Sequence, residues 1–418
     1  MAAAGFPLWT LLPFPALVLA IAVFPIVIAH LWEKRSLQLA VVGVCTLPVV
    51  VHALHSGHVA EIVAGLRGYS AFVITLGALF VTSGGIHLSG DIEATPKNNL
   101  WFLAFGALIA SVVGTTGASM LLIRPLLKTN RQRAHREHLV PFFILIVANA
   151  GGMLLPLGDP PLLVGYIMGV PFFWTLRLFP IWLLYVGSLL LAFYLADKRA
   201  YARETNQALT EDRREIEALS LRGPLNLLFL AAIVPAALLP EGAREAALLL
   251  IAGLSFLTTR KDVHSANSFG FGPIIEVAII FFGLFLCLGP IEVTLAQAAP
   301  SFPLREAWQL FWGAGLLSSV LDNAPTYTAF AALARGLSPH SNELVAGIAP
   351  LKLAAISVGS VVMGATTYIG NGPNLMVKAV AEREHYRLPS FGRYCAFAFA
   401  CMLPAHLLVT AALWWLER

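Results

Sequence analysis

The sequence predicts an all-α polytopic membrane protein made of two inverted-topology repeats, each with five spans, one re-entrant hairpin and one discontinuous helix. Its 418 residues are 58% hydrophobic and only 12% charged, whereas about 25% of the residues of a typical soluble protein are charged. Charge-free apolar windows long enough to span a bilayer recur along the chain. Similar interruptions by glycine, proline and polar residues occur in both halves, and these indicate the repeat.

The first repeat is expected at residues 1–196 and the second at residues 223–418. In the first, apolar segments lie between polar breaks at 7–31, 37–54, 69–89, 100–127, 139–170 and 173–196. In the second, they lie at 224–240, 244–258, 273–290, 304–335, 343–376 and 394–416. The opening segment has no basic leader and is too long for a signal-peptide core, so we expect it to be retained as a span.

Two of these segments are interpreted as re-entrant hairpins, at 100–127 and 304–335, and two as broken helices, at 139–170 and 343–376. If each hairpin returns to the side it entered, 19 of the 27 lysines and arginines fall in loops on one side of the membrane. By the positive-inside rule that side is cytoplasmic and both termini lie outside. The polar segment 197–222 is then a cytoplasmic linker, and a bacterial-type inner membrane is the expected location.

Sequence similarity between the halves supports the repeat. At an offset of 207 residues, SVVGTTGASM (111–120) overlays SSVLDNAPTY (318–327), which pairs Thr115 with Asp322 and Thr116 with Asn323. At an offset of 212, LGDPPLL (157–163) overlays IGNGPNL (369–375), which pairs an aspartate with an asparagine. The first pair of segments lies in the hairpins and the second in the broken helices.

Polar residues at these four breaks form the candidate ion site. Backbone without helical hydrogen bonds survives at membrane depth only where protein or a water-filled cavity satisfies it, and an acid buried in the membrane indicates function. Oxygen ligands of this kind suit Na⁺ or Li⁺ as well as divalent ions. The candidate ion- or substrate-binding residues are Asp159, Asp322, Asn323, Asn371, Asn374, Thr115, Thr116, Gly158, Gly370 and Thr326.

Other polar residues have weaker patterns. Glu276 and Glu292 lie near the two ends of one span and are candidates for a proton path, although snorkelling to water explains them equally well. Further residues are expected at the membrane surface, rather than in a proton relay, as a counter-ion, as an anion ligand or at a metal. These are His87, Lys352, Arg124 and the cluster His52, His55 and His58.

Three segments resemble the ion-transporter superfamily, which includes arsenite permeases, citrate and dicarboxylate carriers and NhaD-type Na⁺/H⁺ antiporters. They are SSVLDNAPT (318–326), GGMLLPLGDPPLL (151–163) and YIGNGPNLM (368–376). The resemblance implies Na⁺ at Asp159, Asp322 and Asn323, a homodimer, and elevator-like movement of a hairpin-bearing domain. The chain departs from many antiporters in its first hairpin, where Gly114-Thr115-Thr116-Gly117 replaces an Asp-Asn pair; this leaves the ion stoichiometry open.

Two transport functions remain open at this point. The first is Na⁺(Li⁺)/H⁺ antiport, in which Asp159 and Asp322 bind either Na⁺ or a proton. The second is Na⁺- or H⁺-coupled transport of a small anion or oxyacid of the citrate, dicarboxylate or arsenite type. A membrane enzyme or scaffold is disfavoured because the sequence contains no nucleophile–base motif. ATP-driven transport is disfavoured because it contains no GxxxxGK[ST] motif.

The expected partners follow from these alternatives. We expect Na⁺ or Li⁺ and protons as the transported or coupling ions, and contacts with membrane lipid. We expect no other cofactor and no nucleic-acid partner.

Overall fold

The computed structural model describes residues 6–32, 34–339, 341 and 343–418 and is almost entirely helical. Among these residues, five helices are long and apolar enough to cross a membrane: Arg35–His55, Val59–Gly84, Phe172–Tyr201, Gly272–Ser301 and Phe391–Leu416. Shorter apolar helices lie before the first of them and between the others. The predicted all-α polytopic membrane fold is therefore confirmed. The extracellular position predicted for the N-terminus concerns residues 1–5, which lie outside the described residues.

In the first half and the linker, the helices are α1 (Pro13–Val27), α2 (Ala29–Trp32), α3 (Arg35–His55), α4 (Val59–Gly84), α5 (Pro96–Val113), α6 (Thr115–Thr129), α7 (Leu139–Ile146), α8 (Pro160–Ile167), α9 (Phe179–Tyr201) and α10 (Asn206–Arg214). In the second half they are α11 (Leu225–Ala237), α12 (Ala243–Thr258), α13 (Lys261–Ala266), α14 (Gly272–Ala298), α15 (Ala307–Ser318), α16 (Asn323–Gly336), α17 (Pro350–Met363), α18 (Gly372–Arg383) and α19 (Phe391–Leu416). Turns of 3-10 helix lie at Leu8–Leu11, Ala150–Leu154, Phe172–Leu178, Ala299–Ser301 and Gly364–Thr366.

The order of the elements repeats along the chain. Helices α5 and α6 form a tight pair joined at Gly114, and α15 and α16 form a second pair. Each pair is followed by a broken helix, α7–α8 or α17–α18, and then by a long helix, α9 or α19. The predicted breaks therefore lie where the structure interrupts its helices, whereas the repeat bounds and their inverted orientation stay predictions.

Several helix ends differ from the predicted spans. Helix α4 starts at Val59 rather than near residue 69, and α14 continues to Ala298 rather than ending near residue 290. A helix of 26 residues is about 39 Å long, so its ends reach beyond the ~30 Å hydrocarbon core. Polar residues such as Glu61 and Arg67 occupy such an end, and a search for apolar windows stops before them.

Packing between the halves is reciprocal. Helix α8 of the first broken helix packs against α16 of the second hairpin, and α18 of the second broken helix packs against α6 of the first hairpin. Helix α14 runs beside this assembly and contacts α3, α4 and α16. The N-terminal ends of α6, α8, α16 and α18 are thereby brought towards one region of the molecule.

The linker carries structure that the sequence did not predict. Strand β1 (His87–Ser89) pairs antiparallel with β2 (Ser220–Arg222) at the end of the linker. His87, expected at the inner end of a span, therefore lies in a strand beyond α4, and its Nδ1 is 2.8 Å from Asn267 Oδ1. Strands of three residues are too short to show an alternating pattern.

Candidate ion-binding site

Asp159 lies at the break between α7 and α8 and is buried, with 2% of its surface exposed. It is the N-cap of α8, with extended backbone angles (φ −145°, ψ 143°), and two prolines follow it. Prolines suit the first turn of a helix, because the N–H that they lack has no partner there. The sequence Asp-Pro-Pro therefore starts α8 with the carboxylate at its cap, after the non-helical residues that follow Leu154.

Asn371 occupies the equivalent place between α17 and α18. It is the N-cap of α18, with nearly the same backbone angles (φ −153°, ψ 137°), and Gly372 and Pro373 follow it. Its Nδ2 donates to Asp159 Oδ1 at 3.2 Å. Asp159 and Asn371, which the sequence aligns, are therefore both N-cap residues with similar backbone angles. Their side chains are also in contact.

Gly158 and Gly370 shape the two breaks. A Cβ atom on Gly158 would overlap the carbonyl oxygen of Gly152, and one on Gly370 would meet that of Gly364. Gly370 follows Gly158 by 212 residues and Gly364 follows Gly152 by 212 residues, the same separation as that between Asp159 and Asn371. The carbonyl of Gly158 also accepts the backbone N–H of Thr115 at 2.7 Å, so these two glycines allow close backbone crossing.

The two hairpin tips complete the surroundings of Asp159. Thr115 Oγ1 donates to Asp159 Oδ1 at 2.9 Å, and Asn323 Nδ2 donates to Asp159 Oδ2 at 2.7 Å. All four side chains, including Asn371, are buried. The four breaks predicted to converge are thus joined by hydrogen bonds to one carboxylate.

The hairpin alignment was wrong by one residue. The N-caps of α6 and α16 are Gly114 and Asp322, so Thr115 is equivalent to Asn323 rather than to Asp322. The first hairpin turns on a single residue, Gly114, at φ +83°, a backbone conformation that glycine adopts readily. The second hairpin uses the four residues 319–322, and this longer turn displaces the alignment.

Asn323 has an unusual hydrogen-bonding state. Its side chain is fully buried and its Nδ2 is bound to Asp159, yet its Oδ1 has no hydrogen-bond partner among the described residues. An unsatisfied buried polar group costs about 1–3 kcal/mol and calls for an explanation such as an ion or water. The Oδ1 atom without a partner therefore belongs to the same side chain that donates to Asp159.

Asn149, which the sequence analysis missed, links the two broken helices. Its Oδ1 accepts from Asn371 Nδ2 at 3.1 Å, and its Nδ2 donates to Asn374 Oδ1 at 2.7 Å. Asn374 in turn donates to the carbonyls of Gly364 and Thr367. An amide two residues before the double glycine of an apolar segment was the available signal. These amides hold the breaks in place.

Two cavities adjoin the acids. One of about 80 Å³ is lined by Thr115, Thr116 and Asp159. The other, of about 430 Å³, is lined by Thr116, Asp322 and Glu276. They share Thr116 and part of the α14 wall, and no lysine, arginine or histidine of the described chain lines either one. Asp322 thus faces the larger cavity rather than touching Asp159.

The remaining candidates are divided between the site and other places. Thr326 Oγ1 donates to the Asp322 carbonyl at 3.0 Å, so this hydroxyl supports the start of α16. Glu292 lies in a separate cavity with Glu61 and Arg335. Glu276 is therefore near the site and Glu292 is not.

The lysine and two of the three clustered histidines expected at the membrane surface have ordinary partners. Lys352 Nζ donates to the Arg305 carbonyl at 2.6 Å from the first turn of α17. His58 stacks on Phe6, and His52 packs edge-on against Trp9. Within the described part of the chain, no three histidine, cysteine or acidic side chains are grouped to hold a metal ion.

Comparison with known proteins places the chain in a family. A family model described as "Putative citrate transport" matches residues 3–415, nearly the whole chain. The chain belongs to this family. The family is part of the ion-transporter superfamily, so the resemblance inferred from the three segments is confirmed. No curated protein matches the chain significantly. This transporter is accordingly an integral membrane protein of the secondary-transport class.

Proposed function

We propose that this transporter exchanges Na⁺ or Li⁺ for protons, with Asp159 and Asp322 as the groups that bind either ion. The observation that carries the proposal is the free Oδ1 of buried Asn323 beside the Asp159 carboxylate. An amide oxygen and a carboxylate oxygen are ligands of the kind that a small hard cation takes. Since the described groups that donate to Asp159 are all uncharged, its negative charge is left for a cation or a proton.

Competition for the carboxylates provides the coupling. A bound cation and a bound proton each neutralise Asp159, and each opposes the other because both use the same oxygens. Asp322, with Glu276 beside it in the larger cavity, is the proposed entry point for the exchanged ion. A bare carboxylate in the membrane interior costs at least ~2.5 kcal/mol, so the unloaded form crosses rarely and the exchange stays coupled.

Alternating access is proposed to occur by an elevator movement in a homodimer. The moving part would carry the hairpins and the broken helices, because α8 and α16 pack together and so do α6 and α18. Helix α14 together with α3 and α4, which it contacts, would form the scaffold, since α14 lines both cavities from one side. We also propose that the protein lies in a bacterial-type inner membrane with both termini outside the cytoplasm.

Everted vesicles test the exchange directly. After respiration acidifies their interior, added Na⁺ or Li⁺ is expected to raise the internal pH, as reported by a ΔpH-sensitive dye. Asp159→Asn keeps the volume and removes the charge, so we expect it to abolish the response. Asp262→Asn is the matched control, because Asp262 lies in an exposed ion pair and should exchange normally. Absence of Na⁺- and Li⁺-dependent alkalinisation by the unsubstituted protein between pH 6.5 and 9 would refute antiport.

A second candidate function is cation-coupled transport of a small carboxylate such as citrate. Two observations favour it: the family description and the 430 Å³ cavity, which opens on the N-terminal end of α18 at Gly372. Helix N-termini attract anions, whereas Asp322 and Glu276 repel them, so an anion would need a cation with it. Labelled citrate accumulating in vesicles only with Na⁺ or a proton gradient would select this function over antiport.

A further inference from the structure

A cavity of about 470 Å³ lies at the far end of the first hairpin, away from the acids. Its wall combines basic side chains of α6 and the following loop with β1 and the segment after α18. Its lining includes His87, four cations, one acid and a tyrosine: Arg124, Lys128, Arg131, Arg136, Glu384 and Tyr386. It is on the side that the sequence predicts to be cytoplasmic.

Two of the four cations already have acidic partners from the linker. Lys128 Nζ lies 2.5 Å from Glu217, and an Arg131 nitrogen lies 2.7 Å from Glu215. Both glutamates approach from the linker and are absent from the cavity wall. These pairs explain Lys128 and Arg131 without any ligand.

The other two cations have no acidic partner within the part of the chain that the structure describes. Arg136 donates to backbone carbonyls, at 2.7 Å for that of Arg131, and its guanidinium lies 4.1 Å from the centre of the Tyr386 ring. Arg124, which is half-buried, has no hydrogen bond or ion pair with any described residue. Two cations without acidic partners and one acid, Glu384, therefore remain in the wall, so the cavity has a net positive charge.

Arg124 also lies at a particular depth. It follows Thr115 by nine residues of continuous helix, which corresponds to about 14 Å. If Thr115 lies near the middle of a hydrocarbon core ~30 Å thick, Arg124 lies near its edge. This is where lipid phosphates and soluble anions both come within reach of a guanidinium.

We propose that this cavity binds a phosphate group, with Arg124 as its principal ligand and Arg136 and His87 beside it. A guanidinium presents paired N–H donors that match two phosphate oxygens. The phosphate belongs either to an anionic phospholipid of the cytoplasmic leaflet or to a soluble phosphate compound, because both offer the same oxygens. The proposal does not depend on which ion is transported.

The first experiment uses inorganic phosphate as the probe and the detergent-purified full chain. Binding is followed by titration calorimetry for the unsubstituted protein, Arg124→Gln and Arg393→Gln. Loss of one charge-assisted hydrogen bond should weaken binding about tenfold in Arg124→Gln. Arg393→Gln is the matched control, since Arg393 is exposed outside the cavity, and it should bind normally. Arg124→Lys, which keeps the charge, should recover part of the affinity, and thermal unfolding checks that every variant is folded.

The second experiment identifies the source of the phosphate. The same variants are placed in nanodiscs of phosphatidylcholine alone or with phosphatidylglycerol, and bound lipid is counted by native mass spectrometry. Phosphatidylglycerol retained by the unsubstituted protein and lost in Arg124→Gln, together with weaker phosphate binding in its presence, assigns a lipid. Equal phosphate binding in both nanodiscs assigns a soluble compound. If neither phosphate nor phosphatidylglycerol binding depends on Arg124, the proposal is wrong.

Discussion

Asp159 and Asp197 are both buried acids, but their partners differ in kind. Asp197 lies 2.6 Å from Arg133 and 2.9 Å from His138 Nε2 and accepts from Asn99. Among the described residues, the donors to Asp159 are a hydroxyl and two amides. A buried charge paired with arginine is a structural ion pair, whereas one held by neutral donors keeps its attraction for a cation. The comparison separates the candidate ion site from a structural network at the level of single side chains.

At this scale, Asn323 gives a direct prediction. Asn323→Ala removes the unpartnered Oδ1 and one donor to Asp159, so we expect the Na⁺ concentration for half-maximal exchange to rise about tenfold, as for loss of one charged hydrogen bond. Dye-based exchange in vesicles at a series of Na⁺ concentrations measures it. Asn206→Ala changes the same residue type at an exposed position and should have no effect. An unchanged half-maximal concentration in a folded Asn323→Ala protein would remove Asn323 from the site.

At the scale of elements, the broken helices are defined by close backbone crossing. Gly158 approaches Gly152, and Gly370 approaches Gly364, in the same way in each half. Such contacts exclude every side chain, because a Cβ would occupy the space of a carbonyl oxygen. The N-cap residues that follow Gly158 and Gly370, which are Asp159 and Asn371, thereby lie in contact with each other.

Gly158→Ala should destabilise the protein and Gly187→Ala should not. The first adds a Cβ where the Gly152 carbonyl lies, whereas a Cβ on Gly187 in α9 meets no atom within 4 Å. Overpacking costs about 1–3 kcal/mol, while alanine is favoured over glycine by about 1 kcal/mol in a helix. Thermal unfolding in detergent, followed by size-exclusion chromatography, compares the two. Equal stability of both variants would contradict the close backbone contact between Gly158 and Gly152.

A second element-level prediction concerns the ion pair that fastens α9 to the loop after α6. Arg133 and Asp197 are both buried, with side-chain exposures of 1% and 0%. Asp197→Asn leaves the buried Arg133 with only the more distant Glu204, at 3.7 Å, as a charge partner. Breaking a buried ion pair costs about 3–5 kcal/mol, so we expect a loss of stability of up to that size. The control is Asp262→Asn in an exposed pair with Arg260, expected to change stability by less than about 1 kcal/mol. The same unfolding assay measures both variants. An Asp197→Asn protein as stable as the unsubstituted protein would show that the pair contributes little.

At the scale of the whole molecule, the linker joins the halves and also packs on the first hairpin. Strand β2 pairs with β1, and Glu215 and Glu217 bind Arg131 and Lys128. These contacts tie the linker to the end of α6. A hairpin that moves in transport would therefore carry part of the linker with it.

The sidedness of the whole chain is testable with single cysteines. In a chain whose four cysteines are replaced by alanine, Arg214→Cys in the linker should react with a membrane-impermeant maleimide only in everted vesicles. Arg418→Cys should react only in right-side-out vesicles. Both positions are exposed, so access depends on the side alone. Labelling of both from the same face would disprove the inverted arrangement.

Much of the site was predictable because its signals are local. Proline, glycine and acids within an apolar segment mark a break at Asp159 wherever that segment packs. Asn149 was missed because one amide before a break has no distinct pattern. The one-residue error at Asn323 arose because the lengths of the two hairpin turns differ, which the aligned residues do not reveal.

The sequence by itself determined the membrane class, the order of the apolar segments and the places where helices break, since hydropathy and backbone restriction are properties of neighbouring residues. Only the tertiary structure decided that the breaks meet at one carboxylate. Asn323 and Asn371 reach Asp159 from 164 and 212 residues away along the chain, and contacts over such separations depend on how whole helices pack.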